Sequence, residues 1–247
     1  MPYLLYGIGT GDWRWLAFAK LLAVAVPILL LCRTLPPRDL SRFSWQDAAV
    51  AVWLIGVVLS HQLRGIWNVP ANLDFLQRLY LISVAVWIWT FVRPVPHLGY
   101  EARINLPVLK AAAINFLLFA VIAMPAGFLL RFNAWNPRWR GLEDFAFNYL
   151  EIFLFVAMLE ETFFRGFLQT LLSNSFSSWW KAQLLVSCLF GLFHILHSPF
   201  PNWRYVLLAT IAGWFYGSAF RQGKTLLASS LVHAMVDTVW RTWFTAH

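Results

Sequence analysis

Leu159-Glu160-Glu161-Thr162-Phe163-Phe164-Arg165-Gly166-Phe167-Leu168-Gln169 sets two adjacent carboxylates and a guanidinium among residues that are nearly all apolar. An ionised group in hydrocarbon costs about 2.5–3.5 kcal/mol even on the lenient insertion scale, so charges in such a place need partners or a purpose. At about 100° per residue on a helix, Glu161 and Arg165 fall one turn apart on nearly one face. The acid is N-terminal to the base, the favourable order for an ion pair. Glu160 lies about 140° around the axis from Arg165 by the same geometry and must find another partner. In a soluble protein the plain reading would be one salt bridge and one spare surface glutamate.

The rest of the chain removes that reading. Of 247 residues, 60% are hydrophobic and 12% are charged, against about a quarter charged in an ordinary soluble domain. The composition is that of a membrane protein. Its 15 Trp, many beside chain turns, suit interfacial belts, and a net charge of +8 spread over short loops suits anionic headgroups. No basic cluster resembles a nucleic-acid footprint, so nucleic acid is not an expected partner. Cys32 and Cys188 are far apart in sequence, which argues against a disulfide framework or a CxxC metal site. The N-terminus lacks a short apolar core followed by a small-residue cleavage site, so the first apolar segment is expected to stay as an anchor.

Eight apolar segments follow one another: 15–31, 48–63, 79–92, 111–130, 145–172, 182–196, 205–220 and 225–240. The fold expected is therefore all-α, a polytopic bundle of about eight transmembrane helices, with a bilayer around it. Several segments are shorter than the roughly 20 residues a perpendicular span prefers. Flanking Trp and Arg can extend them. The segment 111–130 carries no charge, although Pro125 should kink it. The segment 145–172 reads as one long helix, broken after it by Ser173-Asn174-Ser175. The polar stretch 131–144 divides a single membrane-embedded domain into accessory helices, 1–130, and catalytic helices, 131–247. Lys and Arg are shared almost evenly between alternate loops, so orientation does not follow from the positive-inside count.

Ionisable groups recur inside the last helices. His194 closes Phe190-Gly191-Leu192-Phe193-His194 and reads as lying well inside the sixth segment, with His197 a turn later. His233 and Asp237 stand four apart in the eighth and share a face. A lone histidine among Phe and Leu is more often a satisfied core residue than a catalyst. In combination, Glu160, His194, His233 and Asp237 are all satisfied by one water-filled cavity. Neither a helical HExxH zinc site nor a GxSG pattern occurs, and Gly9-Thr10-Gly11-Asp12, although it matches GxGD, reads as a turn outside the first span.

EETFFRG at 160–166, FGLFH at 190–194 and HAMVD at 233–237 resemble, in order and spacing, the EExxxR, FxxxH and HxxxN/D motifs of the CAAX prenyl protease and bacteriocin-processing family. The likeness covers about residues 143–241, including a Gly-rich stretch at 213–224. The resemblance implies an eight-helix membrane endopeptidase of glutamic type acting on a peptide or protein substrate in or at the membrane. It implies Glu160 as general base, His194 as second water ligand, His233 and Asp237 as stabilisers, and Glu161 with Arg165 as support. Asn is the commonest family residue at the last position, where this chain has Asp237.

The residues can perform that chemistry. Amide hydrolysis needs a base for water and donors for the developing oxyanion, and a glutamate acting directly on water requires neither a covalent intermediate nor a cofactor. Zinc held by Glu160, His194 and His233 is the alternative, since catalytic zinc takes three protein ligands and a water. An ionised Asp237 is expected to accept a hydrogen bond from His233 and orient it. Two other classes compete: a non-catalytic scaffold knitted by these polar groups, and a haem carrier with His194 and His233 as axial ligands. Prenylated C-termini, bacteriocin leaders, sorting tails and transmembrane anchors all fit as substrates.

Overall fold

Ser44 starts a helix because its hydroxyl accepts from the Asp47 amide while the Asp47 carboxylate accepts from the Ser44 amide, a reciprocal cap that satisfies two orphan donors. That helix is one of nine in the computed structural model, which describes residues 2–68, 75–101, 103–176 and 178–246. The chain divides into two compact units, Met1–Pro96 and His97–His247. The fold is all-α apart from one short antiparallel ladder.

The first unit holds α1 (Pro2–Thr10), α2 (Trp15–Thr34), α3 (Trp45–Leu59) and α4 (Phe75–Trp87, continued by a π-helical turn, Ile88–Val92). The short α1 was not foreseen from hydropathy. It ends at Gly11, whose φ of 71° lies in the left-handed region that favours glycine. There the Asp12 amide donates to Thr10 Oγ1, and Tyr6 donates to the Asp12 carboxylate at 2.7 Å. The GxGD match is thus the turn that closes this helix. The π-helical turn ends α4 with a hydrogen bond from the Arg93 backbone N–H to the Ile88 carbonyl. Arg93 is fully buried, ion-paired to a fully buried Asp47 at 2.9 Å, and donates also to the Arg42 carbonyl.

The second unit holds α5 (Leu106–Leu129), β1 (Asn133–Trp135), α6 (a continuous helical run, 142–175), α7 (Trp179–Leu192), α8 (Trp203–Gly223), α9 (Leu226–Trp243) and β2 (Phe244–Ala246). Asn105, Asn202 and Thr225 cap α5, α8 and α9 with side-chain oxygens on free amides. α5 continues past Pro125. Although the sequence groups it with the accessory helices, α5 packs here against α8 and α9. β1 pairs antiparallel with β2, Ala134 opposite Thr245, and Trp139 stacks on Trp243.

Contacts fix the direction of every neighbour. Asn115 donates to Gln222 and Phe119 meets Phe215, so α5 and α8 run antiparallel. Gln183 donates to Ser218, and Gly191 faces Val206 and Thr210, so α7 and α8 are antiparallel too. Arg165 donates to the Gly213 carbonyl and Gln169 to that of Gly217, one sequence offset in both bonds, so α6 and α8 run parallel in register. Glu161 with His233 and Glu151 with Arg241 make α9 antiparallel to α6.

Among the described residues two helices, α2 and α5, are long and apolar enough to cross a membrane. The outer face of α5 leaves Leu117, Val121 and Leu129 bare, with Val121 73% and Leu129 85% exposed. A continuous apolar face of this kind belongs against hydrocarbon or a partner.

The Asp47–Arg93 pair should hold the first unit together. Arg93→Met leaves Asp47 as a buried unpaired charge and should cost about 3–5 kcal/mol. Adding Asp47→Asn removes that charge and keeps an acceptor for the Ser44 amide, so the double variant should unfold in detergent at a higher temperature than the single. Equal melting temperatures would show that the pair is not the tie described.

Candidate active site

Between Glu160 and Gln169 the helix leaves α geometry: Thr162–Gln169 is π-helical, and all eight residues are buried. A second π-helical turn precedes it at Phe153–Ala157. The regular α-helix expected over 145–172 is therefore replaced by a run wound more widely in two places. Such insertions cluster at functional sites because they re-aim side chains without ending the helix.

Arg165, with no exposed side-chain surface, is the centre of the packing. Its Nη1 donates to Glu161 Oε1 at 2.9 Å and its Nη2 to the Gly213 carbonyl at 2.9 Å. The Phe190 ring covers the guanidinium at 4.7 Å and Tyr216 flanks it at 5.3 Å, each a cation–π contact that desolvation strengthens. Gly213 is required here by space. A Cβ on it would come within 3.2 Å of Arg165 Nη2 and 3.1 Å of the Ser187 Cα, forcing apart the helices that present the carbonyl.

The same Glu161 oxygen that pairs with Arg165 accepts a hydrogen bond from His233 Nδ1 at 2.8 Å. A carboxylate only accepts, so this bond fixes the proton on Nδ1 and leaves Nε2 as the working edge of the ring. Nε2 faces two further carboxylates, Asp237 Oδ2 at 3.5 Å and Glu160 Oε2 at 4.0 Å. The Tyr216 ring lies parallel on His233 at 4.6 Å, and Phe190 meets it edge-on. Asp237 was expected to be the group that orients His233. The shorter bond is to Glu161, seventy-two positions away, and Asp237 stands at the outer limit of hydrogen-bond distance on the opposite edge.

His194 lies elsewhere than hydropathy suggested. α7 ends at Leu192, and His194 sits in the turn beyond it, its amide bonded to the Gly191 carbonyl. Pro199 and Pro201, which have no amide to donate, follow before Asn202 opens α8. The ring Nδ1 donates to the Phe190 carbonyl at 2.8 Å, which makes Nε2 the acceptor. Glu160 and His233 are both within electrostatic reach of this ring, and Phe190 touches both imidazoles. The structure thus gathers Glu160, Glu161, Arg165, His233 and Asp237 by direct distances, with His194 at their margin. Among the described residues no three His, Cys, Asp or Glu side chains stand together as a metal-holding group.

Several neighbours carried no motif. Tyr205 packs on His194 at 4.6 Å, Tyr216 on His233, and Gln169 and Gln183 bond to α8 carbonyls. Gln169 follows Arg165 by four positions, so the helical repeat that marks Glu161 and Arg165 marks it too. Nothing in the sequence singles out Tyr205.

Helices with apolar outer faces around a buried acid, histidine and arginine cluster define a membrane protein with the elements of a hydrolase site. Residues 142–239 match the family model described as "Type II CAAX prenyl endopeptidase Rce1-like", in agreement with the resemblance that the motifs in this stretch carry. No curated protein and no solved structure matches the chain.

Glu161→Gln and Arg165→Met should each strip a fully buried charge of its partner and lower the melting temperature in detergent, by about 3–5 kcal/mol of stability. The double variant should recover part of that loss. A double variant no more stable than either single would mean that the two charges are not coupled.

Proposed function

We propose that the protein is a multi-pass intramembrane endopeptidase that hydrolyses a peptide bond of a membrane-associated or lipidated substrate. The observation that carries this reading is the unequal use of two adjacent carboxylates. Glu161 is fully buried and holds Arg165 and His233, while Glu160 keeps 17% of its side chain exposed and faces His233 Nε2. In this reading one acid is structural and its neighbour, partly exposed, acts on water. The alternating helix directions of the second unit support several passes through the bilayer, and eight spans in all accord with the apolar segments.

In this mechanism Glu160 removes a proton from a water that also donates to His194 Nε2, left as an acceptor by the Phe190 carbonyl. The hydroxide attacks the scissile carbonyl, and Glu160 then returns the proton to the leaving amine. His233 meets the charge that develops on the carbonyl oxygen, and Asp237, 3.5 Å from its Nε2, supports the imidazolium form. Glu161 and Arg165 position His233 and do not touch the substrate. A peptide ending in a prenylated cysteine motif is the first substrate to test, since the family model is described as a prenyl endopeptidase. Leader-type and transmembrane peptides are the others.

Glu160→Gln, purified folded, should cleave about 10²–10⁴-fold more slowly than wild type, the usual contribution of a general base. Near-wild-type cleavage would favour the scaffold reading, in which these groups only knit helices together. Wild-type activity should also survive exhaustive chelation and dialysis. Loss on chelation restored by added zinc would transfer the chemistry to a metal held by Glu160, His194 and His233.

A further inference from the structure

The donors and acceptors around the carboxylates do not balance for the reaction proposed. A tetrahedral oxyanion needs donors. His194 Nδ1 is engaged by the Phe190 carbonyl, His233 Nδ1 by Glu161, and Arg165 Nη1 and Nη2 by Glu161 and the Gly213 carbonyl. Glu160 and Asp237, when ionised, only accept. Arg165 Nε has no partner but is wholly buried with the rest of that side chain, and the other donor left is His233 Nε2, which carries a proton only in the imidazolium form and already faces two carboxylates at 3.5 and 4.0 Å.

Tyr205 supplies what is missing. It stands in the first turn of α8, its amide bonded to the Asn202 cap, and its ring is fixed on three sides by His194 at 4.6 Å, His197 at 5.1 Å and Phe132 at 5.3 Å. The side chain is half-buried, and among the described residues its hydroxyl makes no hydrogen bond. Its ring lies against His194, the imidazole that holds the attacking water in the proposed mechanism, with Asp237 and Glu160 within electrostatic reach. A phenol is a neutral donor whatever the protonation of the histidine beside it. Tyr216, eleven positions on and on the same face of α8, is almost fully buried and stacked on His233, whereas Tyr205 is only partly buried.

We propose that Tyr205 is a catalytic residue whose phenolic hydroxyl donates a hydrogen bond to the oxyanion of the tetrahedral intermediate, in the place an amide donor at position 237 would fill. The phenol keeps its proton throughout. The inference rests on the endopeptidase reading and adds one residue to it.

Tyr205→Phe tests it, because the ring contacts survive and only the hydroxyl is lost. On the peptide that wild type cleaves, kcat should fall on the order of 10²–10³-fold, with KM within about threefold and the melting temperature unchanged. Adding Asp237→Asn to Tyr205→Phe should return at least about tenfold of the lost kcat, since the new amide offers a donor at the same oxyanion. A merely structural Tyr205 would show no such rescue. Tyr205→Phe with wild-type kcat, or a loss that Asp237→Asn does not relieve, overturns the proposal while a dead Glu160→Gln leaves the protease reading standing. If wild type and Glu160→Gln cleave none of the three peptide classes, the protease reading itself fails and Tyr205 falls with it.

Discussion

A guanidinium with no exposed surface, in the middle of an apolar bundle, is the constraint on which the C-terminal unit depends. Arg165 cannot reach water, and transfer of an ion into a low-dielectric interior costs several kcal/mol unless hydrogen bonds and a counter-charge offset it. Each neighbour supplies part of that compensation: Glu161 the charge, Gly213 a carbonyl brought close by its missing Cβ, Phe190 and Tyr216 their ring faces. These partners come from α6, α7 and α8, and Glu161 extends the network to His233 on α9. Four helices are thus aligned by the solvation needs of one side chain. The parallel register of α6 and α8 is the geometric trace of this: Arg165 and Gln169 reach carbonyls at one constant sequence offset.

The clasp also prepares the chemistry. By binding Nδ1, Glu161 turns the other nitrogen of His233 toward Glu160 and Asp237, and the Phe190 carbonyl does the same for His194. Both imidazoles are therefore held at Nδ1 by groups to which the proposed mechanism gives no chemical step. Such preorganisation keeps reorganisation out of the chemical step, where electrostatic stabilisation is most effective. It also explains why adjacent glutamates are useful on this helix. Neighbours in sequence point to different sides, so one acid is drawn into the packing while the next keeps part of its side chain exposed.

What could be read from the chain was whatever is local. The spacing of Glu161 and Arg165 and the grouping of acidic and histidine motifs on late helices follow from short-range periodicity, and the helical class follows from composition. Three features were hidden because they are not local. Glu161 lies seventy-two positions from its histidine, so periodicity paired His233 with Asp237 instead. Hydropathy cannot see a helix end within an apolar run, which is why His194 was placed inside a helix that stops at Leu192. The π-helical winding of Thr162–Gln169 leaves no mark in side-chain pattern, since all of its residues are buried and no polar face reports the period. Tyr205 was invisible for a related reason: its importance lies in which donors around it are already engaged.

The Asp47–Arg93 pair shows what separates a structural ion pair from one that serves a site. Both pairs are fully buried, both put acid and base at 2.9 Å, and in both the guanidinium also reaches a backbone carbonyl, Arg93 with the same Nη2 that meets its acid and Arg165 with its other terminal nitrogen. In the first unit the acid's remaining bonds go to Ser44, at the start of its own helix, so the network closes on the backbone. In the second unit the acid's further partner is an imidazole, a group with a second nitrogen on its far edge. A histidine in that position carries the rigidity of the buried pair outward to Glu160 and Asp237, where the proposed mechanism moves protons. The presence of such a ring beyond the pair, and not the burial or strength of the pair, makes one arrangement a tie and the other the floor of a site.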